Sequence, residues 1–329
     1  MKLLFYSTQD YDRKYFNQAN KHFNMTIDYF DGSLNKKTVK LGYQYDAICL
    51  FVNDICDDEV VAELYHHGTK CILLRCAGYN NVAIDKAKAL GVKVARVPEY
   101  SPYAVAEHAV GLLLCLNRKI HKAYNRIREG NFSLKNLEGM DLCGKTIGIV
   151  GYGKIGKVFH RIMSGFSCKI LIHDPYITQV DSETSALVSL DTLLAQSDII
   201  SLHCPLLEET YHIINDKTLA LIKNGAIIIN TSRGALIDTK AIIKSLKNKH
   251  LGGLAIDVYE EESELFFKDH SEEIIADDQF ERLLTFPNVL VTGHQAFLTH
   301  EALVNIANVT LNNAKQILEN SQCNNIISK

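Results

Sequence analysis

The sequence predicts an α/β protein that contains two doubly wound parallel sheets. Short aliphatic runs recur through most of the 329 residues and alternate with stretches of helical periodicity. Apolar runs without strict alternation are typical of parallel strands that helices cover on both faces. The runs fall into two groups, and 329 residues are enough for two domains of ordinary size. We therefore expect two α/β domains.

The first group of predicted strands occupies the N-terminal third of the chain. Its members are Leu3–Tyr6, Ala47–Val52, Cys71–Leu74 and Val92–Val97. A polar helix over Asp57–His67 separates the second run from the third. The group ends in a segment with two prolines, where Ser101 and Pro102 occupy the preferred N-cap and first-turn positions of a helix.

The helix that begins there carries an apolar face and continues into a basic stretch. Its apolar positions include Ala106, Ala109, Leu113 and Leu116. We expect a dimer interface along this face, with packing inside its own subunit as the alternative. The basic stretch Arg118–Arg128 is more typical of a solvated helix face or a subunit contact than of nucleic-acid binding.

The second group of predicted strands follows this helix and is longer. Its members are Thr146–Val150, Lys169–His173, Asp198–Leu202, Ala226–Asn230, Gly253–Ile256 and Val289–Thr292. A junction near residues 293–299 then precedes one last amphipathic helix. The apolar positions of that helix are Leu303, Ile306, Ala314 and Ile317, which recur at helical spacing.

Composition and charge exclude several classes of protein. With 47% hydrophobic and 22% charged residues, the chain is neither disordered nor fibrous. The balance of 35 basic against 38 acidic residues provides no global attraction to nucleic acid or anionic membrane. Nine cysteines without a CxxC pair indicate reduced thiols, and no apolar run is long enough for a signal peptide or a membrane span. We expect a cytoplasmic protein with no membrane partner, no nucleic-acid partner and no metal.

The strongest local motif is the glycine turn Gly151-Tyr-Gly153-Lys-Ile-Gly156. It follows an apolar run, opens a helical pattern and precedes a strand that ends at Asp174, about 20 residues on. Gly151 allows a tight turn, Gly153 lets backbone approach a pyrophosphate, and Gly156 allows close helix packing. Asp174 can accept hydrogen bonds from both ribose hydroxyls and repels a 2′-phosphate. The motif therefore predicts a site for NAD rather than NADP.

Polar residues follow the later strands of the second group. Arg233, Asp257 and His294 each come after one of the last three runs. Because ligands bind beyond the carboxyl ends of strands in open α/β sheets, we expect these side chains to converge on one crevice. His203 lies at a comparable strand end and is the competing histidine. The acidic run Glu260–Glu262 would ordinarily be a solvated turn, but it follows Asp257 closely.

Several of these segments together resemble the D-isomer-specific 2-hydroxyacid dehydrogenase family. They are GYGKIG, INTSRGALID at 229–238, LAIDVYEEE and TGHQAFLT. Within the family, the fermentative D-lactate dehydrogenases are resembled by MKLLFYSTQDYDRKYF, FVND at 51–54, LRCAGYNNV at 74–82, NRKIH at 117–121 and the phenylalanine pair 266–267. The resemblance extends over essentially the whole chain.

The resemblance implies a fold and an activity. A Rossmann-type NAD domain, residues 100–298, would be inserted in a flavodoxin-like substrate domain made of residues 1–99 and 299–329, with a cleft between them. The activity would be reversible hydride transfer between NADH and pyruvate. The helix that begins near Ser101 would supply a subunit interface, so that the protein would be a homodimer or a homotetramer.

The resemblance also assigns roles to residues of this chain. Arg233 would hold the substrate carboxylate in a bidentate fork, a geometry that lysine cannot supply. His294 would donate and accept the proton, with Glu262 as its hydrogen-bond partner. The implied substrate-binding residues are Ala77, Gly78, Tyr100, Phe297 and Phe51. The implied cofactor-binding residues are Gly151, Gly153, Lys154, Ile155, Gly156, Asp174, Cys204, Pro205, Thr210, Thr231, Ser232, Arg233 and Asp257.

Two other functions fit the same fold. One is a dehydrogenase of larger D-2-hydroxy acids. The other is a module that senses NADH without catalysis, as in a transcriptional corepressor. Fold alone does not separate these alternatives. The size of the acyl pocket distinguishes the two kinds of dehydrogenase, and the set Arg233, Glu262 and His294 favours catalysis over sensing.

Overall fold

Residues 1–180 and 185–328 are described by the computed structural model, and the chain divides into two compact units. Unit 1 contains residues 1–101 and 297–329, and unit 2 contains residues 102–296. The described part of each unit is built on one parallel sheet, with five strands in unit 1 and seven in unit 2. The prediction of two parallel α/β sheets is therefore confirmed.

Unit 1 has the strand order β2-β1-β3-β4-β5. Its strands are β1 Lys2–Phe5, β2 Thr26–Tyr29, β3 Ala47–Leu50, β4 Cys71–Leu74 and β5 Lys93–Arg96. Its helices are α1 Asp10–Asn20, α2 Asp58–His66, α3 Ile84–Leu90 and the last helix, His300–Leu318. Strands β3 and β4 are buried along their whole length because helices cover both faces of the sheet. The last helix packs on α1 and β4, and it buries Leu303, Ile306, Ala314 and Ile317 as its periodicity predicts.

Unit 2 has the strand order β12-β11-β10-β9-β6-β7-β8. Its strands are β6 Thr146–Val150, β7 Lys169–His173, β8 Ser185–Leu187, β9 Ile199–Leu202, β10 Ile227–Asn230, β11 Gly253–Ile256 and β12 Val289–Val291. Its helices are α4 Pro102–Asn117, α5 Ile120–Arg128, α6 Lys154–Ser164, α7 Leu190–Gln196, α8 Asp216–Leu219, α9 Thr239–Lys247 and α10 Asp278–Leu284, so the last helix of the chain is α11. An apolar core lies on each face of this sheet.

Two edge strands, β2 and β8, lack the apolar run on which the strand predictions depend. In β2 exposed residues alternate with half-buried ones, and in β8 no residue is buried. An edge strand pairs on one side and keeps much of its surface in water, so its sequence need not be apolar. This explains why apolar runs in the sequence do not predict either strand.

The sequence predicts a dimer interface along the apolar face of α4. In the structure this face packs inside its own unit, which was the alternative. Ala106, Ala109 and Leu113 are fully buried in the core that also contains residues of β6, β10 and β11. The helix covers one face of the unit 2 sheet, which accounts for its apolar length. In the part of the chain that the structure describes, no helix combines the length and apolarity needed to cross a membrane.

Candidate active site

The glycine turn lies between β6 and α6 and leaves room for a phosphate. Gly151 has a φ of +93°, and a Cβ there would lie 2.6 Å from the backbone nitrogen of Cys204. A Cβ on Gly156 would lie 2.2 Å from the carbonyl oxygen of Gly151, so close packing of α6 on the turn requires glycine. At Gly153, the N-cap of α6, a Cβ would meet no atom within 4 Å among the described residues. The helix N-terminus therefore faces open space, as a pyrophosphate site requires.

Asp174 follows β7 and is held beside this turn. Its Oδ2 accepts a hydrogen bond from the backbone nitrogen of Tyr152 (2.7 Å), and its Oδ1 accepts one from the nitrogen of Tyr176 (2.9 Å). Each oxygen of a carboxylate has a second lone pair, so the half-buried side chain can still accept hydrogen bonds from a ribose. The residues around the turn therefore fit a dinucleotide.

The other predicted cofactor residues lie at the start of α6 or in the segments that follow β9, β10 and β11. Lys154 and Ile155 open α6, and Cys204 and Pro205 follow β9. Burial raises the pKa of the Cys204 thiol to about 11, so it is neutral. The hydroxyl of Thr210 donates to the carbonyl of Pro205 (2.7 Å) and that of Ser232 to the carbonyl of Leu202 (2.9 Å). Within the described residues, the Thr231 hydroxyl is buried without a hydrogen-bond partner.

His294 and Glu262 form a close pair in unit 2. The Nδ1 of His294 lies 2.8 Å from Oε1 of Glu262, and the other carboxylate oxygen accepts a hydrogen bond from the backbone nitrogen of Tyr259 (2.9 Å). The side chains of His294 and Glu262 are 15% and 21% exposed, and the ring centroid of Phe267 lies 5.6 Å from that of the imidazole. With Nδ1 engaged by a carboxylate, Nε2 is the nitrogen that can exchange a proton with a substrate.

Asp257 is fully buried and organises the loop that carries His294. Its carboxylate accepts hydrogen bonds from the hydroxyl of Thr292 (2.5 Å) and from the backbone nitrogens of Gln295 (2.9 Å) and Ala296 (2.8 Å). Its own carbonyl accepts the backbone nitrogen of His294 (2.7 Å). Burial alone would raise the pKa of Asp257, but hydrogen bonds from His108, Thr292 and the two backbone nitrogens lower it, so the group is ionised.

Arg233 lies in the turn after β10 and is half-buried. The side chain of Asn230 donates to its carbonyl oxygen (2.8 Å), which fixes the backbone at this point. The next residue, Gly234, packs so closely on Tyr259 that a Cβ would lie 2.1 Å from its carbonyl oxygen. The arginine turn is therefore tied to the segment that leads to Glu262. A second pair, His212 with Glu260 (2.5 Å), braces the same region.

His203, the competing histidine, is enclosed in the interior of unit 2. Its Nε2 bonds the hydroxyl of Ser201 (2.9 Å), and its ring packs against Phe159. Burial lowers the pKa of His203 to about 3, so its imidazole is neutral at physiological pH. A neutral, enclosed imidazole is poorly suited to donate a proton, and His294 is left as the acid–base candidate.

Unit 1 brings together the three aromatic residues predicted to bind substrate. The ring of Phe297 lies 5.8 Å from that of Phe51 and 6.4 Å from that of Tyr100. Tyr11, which no sequence motif indicates as a site residue, also belongs to this cluster, with its ring 6.2 Å from that of Phe297. Nothing in the pattern around Tyr11 could have indicated this, because the contact joins positions almost 300 residues apart.

Polar residues that no sequence motif indicates hold Phe51 at its backbone and at its ring. Its nitrogen donates to Asp54 (2.6 Å), its carbonyl accepts from Asn81 (2.8 Å), and the guanidinium of Arg75 lies 4.8 Å from the ring centroid. Arg75 is itself buried and paired with Asp12 (3.3 Å). The sequence signal that could have indicated Arg75 is its position directly after the fully apolar strand β4.

Ala77 and Gly78 lie in the loop that follows β4. The carbonyl of Ala77 accepts a hydrogen bond from the guanidinium of Arg96 (2.7 Å), and that of Gly78 accepts one from the thiol of Cys76 (3.3 Å). These two hydrogen bonds give the loop a defined backbone conformation.

Comparisons with known proteins agree with this geometry. Residues 110–296 match the family model of the NAD-binding domain of D-isomer-specific 2-hydroxyacid dehydrogenases. The D-lactate dehydrogenase of Escherichia coli (strain K12) is 51% identical over 326 residues, 99% of each chain. The chain belongs to the D-isomer-specific 2-hydroxyacid dehydrogenase family.

Solved structures give the same result. The apo structure of D-lactate dehydrogenase from Escherichia coli has a TM-score of 0.90 at 48% identity and covers 99% of this chain and 100% of that one. D-lactate dehydrogenase from Aquifex aeolicus, complexed with NAD and lactic acid, has a TM-score of 0.88 at 29% identity, with 99% of each chain covered. The predictions of family, of an oxidoreductase and of NAD as cofactor are confirmed.

We expect the dehydrogenase to prefer NADH over NADPH by roughly two orders of magnitude or more in kcat/KM. At ~4 Å and an effective dielectric constant of ~20, the repulsion between Asp174 and a 2′-phosphate is worth ~4 kcal/mol. Steady-state kinetics with both cofactors measure the preference, and Asp174→Ala should narrow it. Asp174→Asn is the matched variant, since it removes the charge and keeps a hydrogen-bond acceptor. Equal efficiency with NADPH in the parent enzyme would contradict the assignment.

Proposed function

We propose that this dehydrogenase reduces pyruvate with NADH and a proton to D-lactate and NAD⁺, reversibly. The observation that carries the proposal is the His294–Glu262 pair, 2.8 Å apart, in the unit that contains the dinucleotide turn. A positioned acid–base group beside a nicotinamide site is what hydride transfer to a carbonyl requires. The names of the relatives, D-lactate dehydrogenases of two bacteria, support the choice of substrate.

Each residue has one task in the proposed reaction. The Nε2 of His294 gives a proton to the carbonyl oxygen of the 2-oxo acid and takes it back from the hydroxyl in the reverse direction. Glu262 pairs with Nδ1 and orients the imidazole. Arg233 binds the carboxylate through two parallel hydrogen bonds. When bound, the reduced nicotinamide supplies the hydride, and the glycine turn and Asp174 would hold the cofactor.

Unit 1 supplies the proposed substrate-binding residues. The backbone of Ala77 and Gly78 would bind the carboxylate, and Phe51, Tyr100 and Phe297 would surround the methyl group. Phe51 and Phe297 are almost completely buried, with ring centroids 5.8 Å apart, and two large side chains at this place would narrow the acyl pocket. A small acyl pocket favours pyruvate over branched 2-oxo acids.

The direct test follows NADH absorbance with purified protein and a series of 2-oxo acids. We expect turnover with pyruvate, less with 2-oxobutyrate and least with 2-oxoisocaproate. A reversed order would indicate a dehydrogenase of larger 2-hydroxy acids. NADH binding without turnover of any 2-oxo acid would instead indicate a sensor.

Phe51→Leu tests the size of the pocket. The smaller side chain is expected to raise kcat/KM for 2-oxoisocaproate and lower it for pyruvate, because each fitting methylene is worth ~1–3 kcal/mol. Phe16→Leu is the control, since Phe16 is buried in unit 1 against Phe5 and lies outside the aromatic cluster. A Phe51 variant that keeps the parent's substrate order would make Phe51 an ordinary core residue.

Glu262→Gln tests the partner of His294. Glutamine keeps the size of the side chain but replaces the charged oxygen that faces Nδ1 with an amide, so the charge-assisted hydrogen bond that orients the imidazole is lost. We therefore expect kcat for pyruvate reduction to fall, because small displacements of a catalytic group reduce turnover, while the Kd for NADH stays close to that of the parent. Glu261→Gln, on the preceding exposed residue, is the matched control. A kcat equal to that of the parent would remove Glu262 from the mechanism.

We also propose a homo-oligomer in the cytoplasm. Ile120, Tyr124 and Ile127 on α5 are each more than half exposed, and they share one helix face at a spacing of four and three residues. An exposed apolar face of this kind is typical of a subunit contact. Light scattering gives the mass in solution and separates dimer from tetramer, and a monomer would refute the proposal.

The cysteine pattern supports the proposed location in the cytoplasm, because free thiols persist in a reducing compartment. Cell fractionation can test this location.

A further inference from the structure

His108 has no role in the mechanism above, yet it contacts the network that holds the catalytic loop. It lies on α4, among buried apolar residues such as Val105 and Ala109. Its Nε2 is 3.3 Å from Oδ1 of Asp257 and 3.1 Å from the hydroxyl of Thr292. One nitrogen of an otherwise apolar helix face is thus directed at two polar groups of another segment.

The hydrogen atoms in this network can be assigned by elimination. An ionised carboxylate accepts only, so the one hydroxyl hydrogen of Thr292 goes to Asp257, at 2.5 Å. The Thr292 oxygen can then only accept, which leaves Nε2 of His108 as the donor to both groups. His108 therefore carries its hydrogen on Nε2, and its Nδ1 is not required by the network.

The network defines where the backbone of His294 lies. Asp257 binds the nitrogens of residues 294, 295 and 296 through its carbonyl and its carboxylate. His294 has a φ of +52°, in the left-handed region that a residue with a side chain adopts at a cost. The loop is held in this conformation by Asp257, and the position of Asp257 depends in turn on Thr292 and on His108.

We propose that His108 is a positioning residue for His294, acting through Asp257 and Thr292 without touching the substrate. The proposal rests on the proposed role of His294 as proton donor. Without His108, Asp257 keeps its other donors, so the fold and the dinucleotide turn should persist. The loop loses its support from α4, and small displacements of a catalytic group reduce turnover strongly.

The test compares His108→Ala, His108→Gln and His108→Asn in the full-length enzyme. We expect His108→Ala to lower kcat for pyruvate ~10- to 100-fold, with KM for pyruvate and the Kd for NADH within about threefold of the parent. His108→Gln should recover most of the loss because its amide nitrogen reaches the position of Nε2. His108→Asn should not, because its amide reaches only the position of Nδ1. His250→Gln, whose histidine bonds the carbonyl of Leu219 elsewhere in unit 2, is the control.

The outcomes separate this inference from the proposed function. If the parent enzyme reduces no 2-oxo acid, the proposed function fails and the inference fails with it. If the parent reduces pyruvate but His108→Ala matches it in kcat, the inference alone is overturned. Equal activity of the Gln and Asn variants would also overturn it, since a merely structural site does not distinguish the two nitrogens. Should His108→Ala not fold, the comparison of Gln with Asn still decides.

Discussion

His294→Gln is expected to lower kcat for pyruvate reduction by ~10²–10⁴ and to leave the affinity for NADH nearly unchanged. Glutamine keeps polarity and approximate size but cannot donate a proton as an acid. The proposed cofactor-binding groups are others, the glycine turn and Asp174, so the loss should fall on the chemical step. Stopped-flow kinetics give kcat, and fluorescence titration gives the Kd for NADH.

His250→Gln is the control for this experiment, because His250 is half-buried in unit 2 and its Nε2 bonds only a backbone carbonyl in the described structure. It should retain parental turnover. If His294→Gln kept kcat within a factor of about three, the proton donor would have to be another group, and the assignment of the acid to His294 would be wrong.

Arg233→Lys is expected to raise KM for pyruvate by ~10- to 100-fold, although lysine retains the positive charge. Lysine presents a point charge on a flexible stem, and it cannot form the two parallel hydrogen bonds that a guanidinium makes to a carboxylate. A lost hydrogen bond to a charged group costs ~1.5–3 kcal/mol, which corresponds to this range. The measurement is steady-state kinetics over a wide range of pyruvate concentrations.

Arg282→Lys provides the matched control, since Arg282 is an exposed residue of α10 that packs over Phe286. Its variant should have parental kinetics. Normal KM for pyruvate in Arg233→Lys would move the carboxylate site elsewhere, and the backbone around Ala77 and Gly78 would be the next candidate to test.

Much of the fold follows from local patterns in the sequence. Strands such as β4 and β10 are covered on both faces, so each is a continuous apolar run whose ends can be located to within a residue or two. The strand predicted over residues 47–52 ends at Leu50, because Phe51 bonds Asp54 instead of continuing the sheet. The edge strands β2 and β8 contain no buried residue and no apolar run, so local pattern does not predict them.

What the sequence by itself determined is the chemistry that depends on residues close together along the chain. The spacing of Gly151, Gly153 and Gly156 defines a turn in which each glycine meets a local steric demand, and Asp174 ends the next strand. A resemblance over whole segments assigned the family and proposed His294, Glu262 and Arg233 as catalytic residues.

Only the tertiary structure decided which side chains meet across the chain. His294 and Glu262 lie 32 positions apart, and only the resemblance had paired them before the structure showed the contact. His108 and Thr292 lie 184 positions apart, so no periodicity could indicate their contact. The same holds for α4, whose apolar face could have covered a partner subunit or its own sheet. Local sequence sets the surface that an element presents, but the partner of that surface depends on how the sheets and helices pack, which is a property of the whole chain.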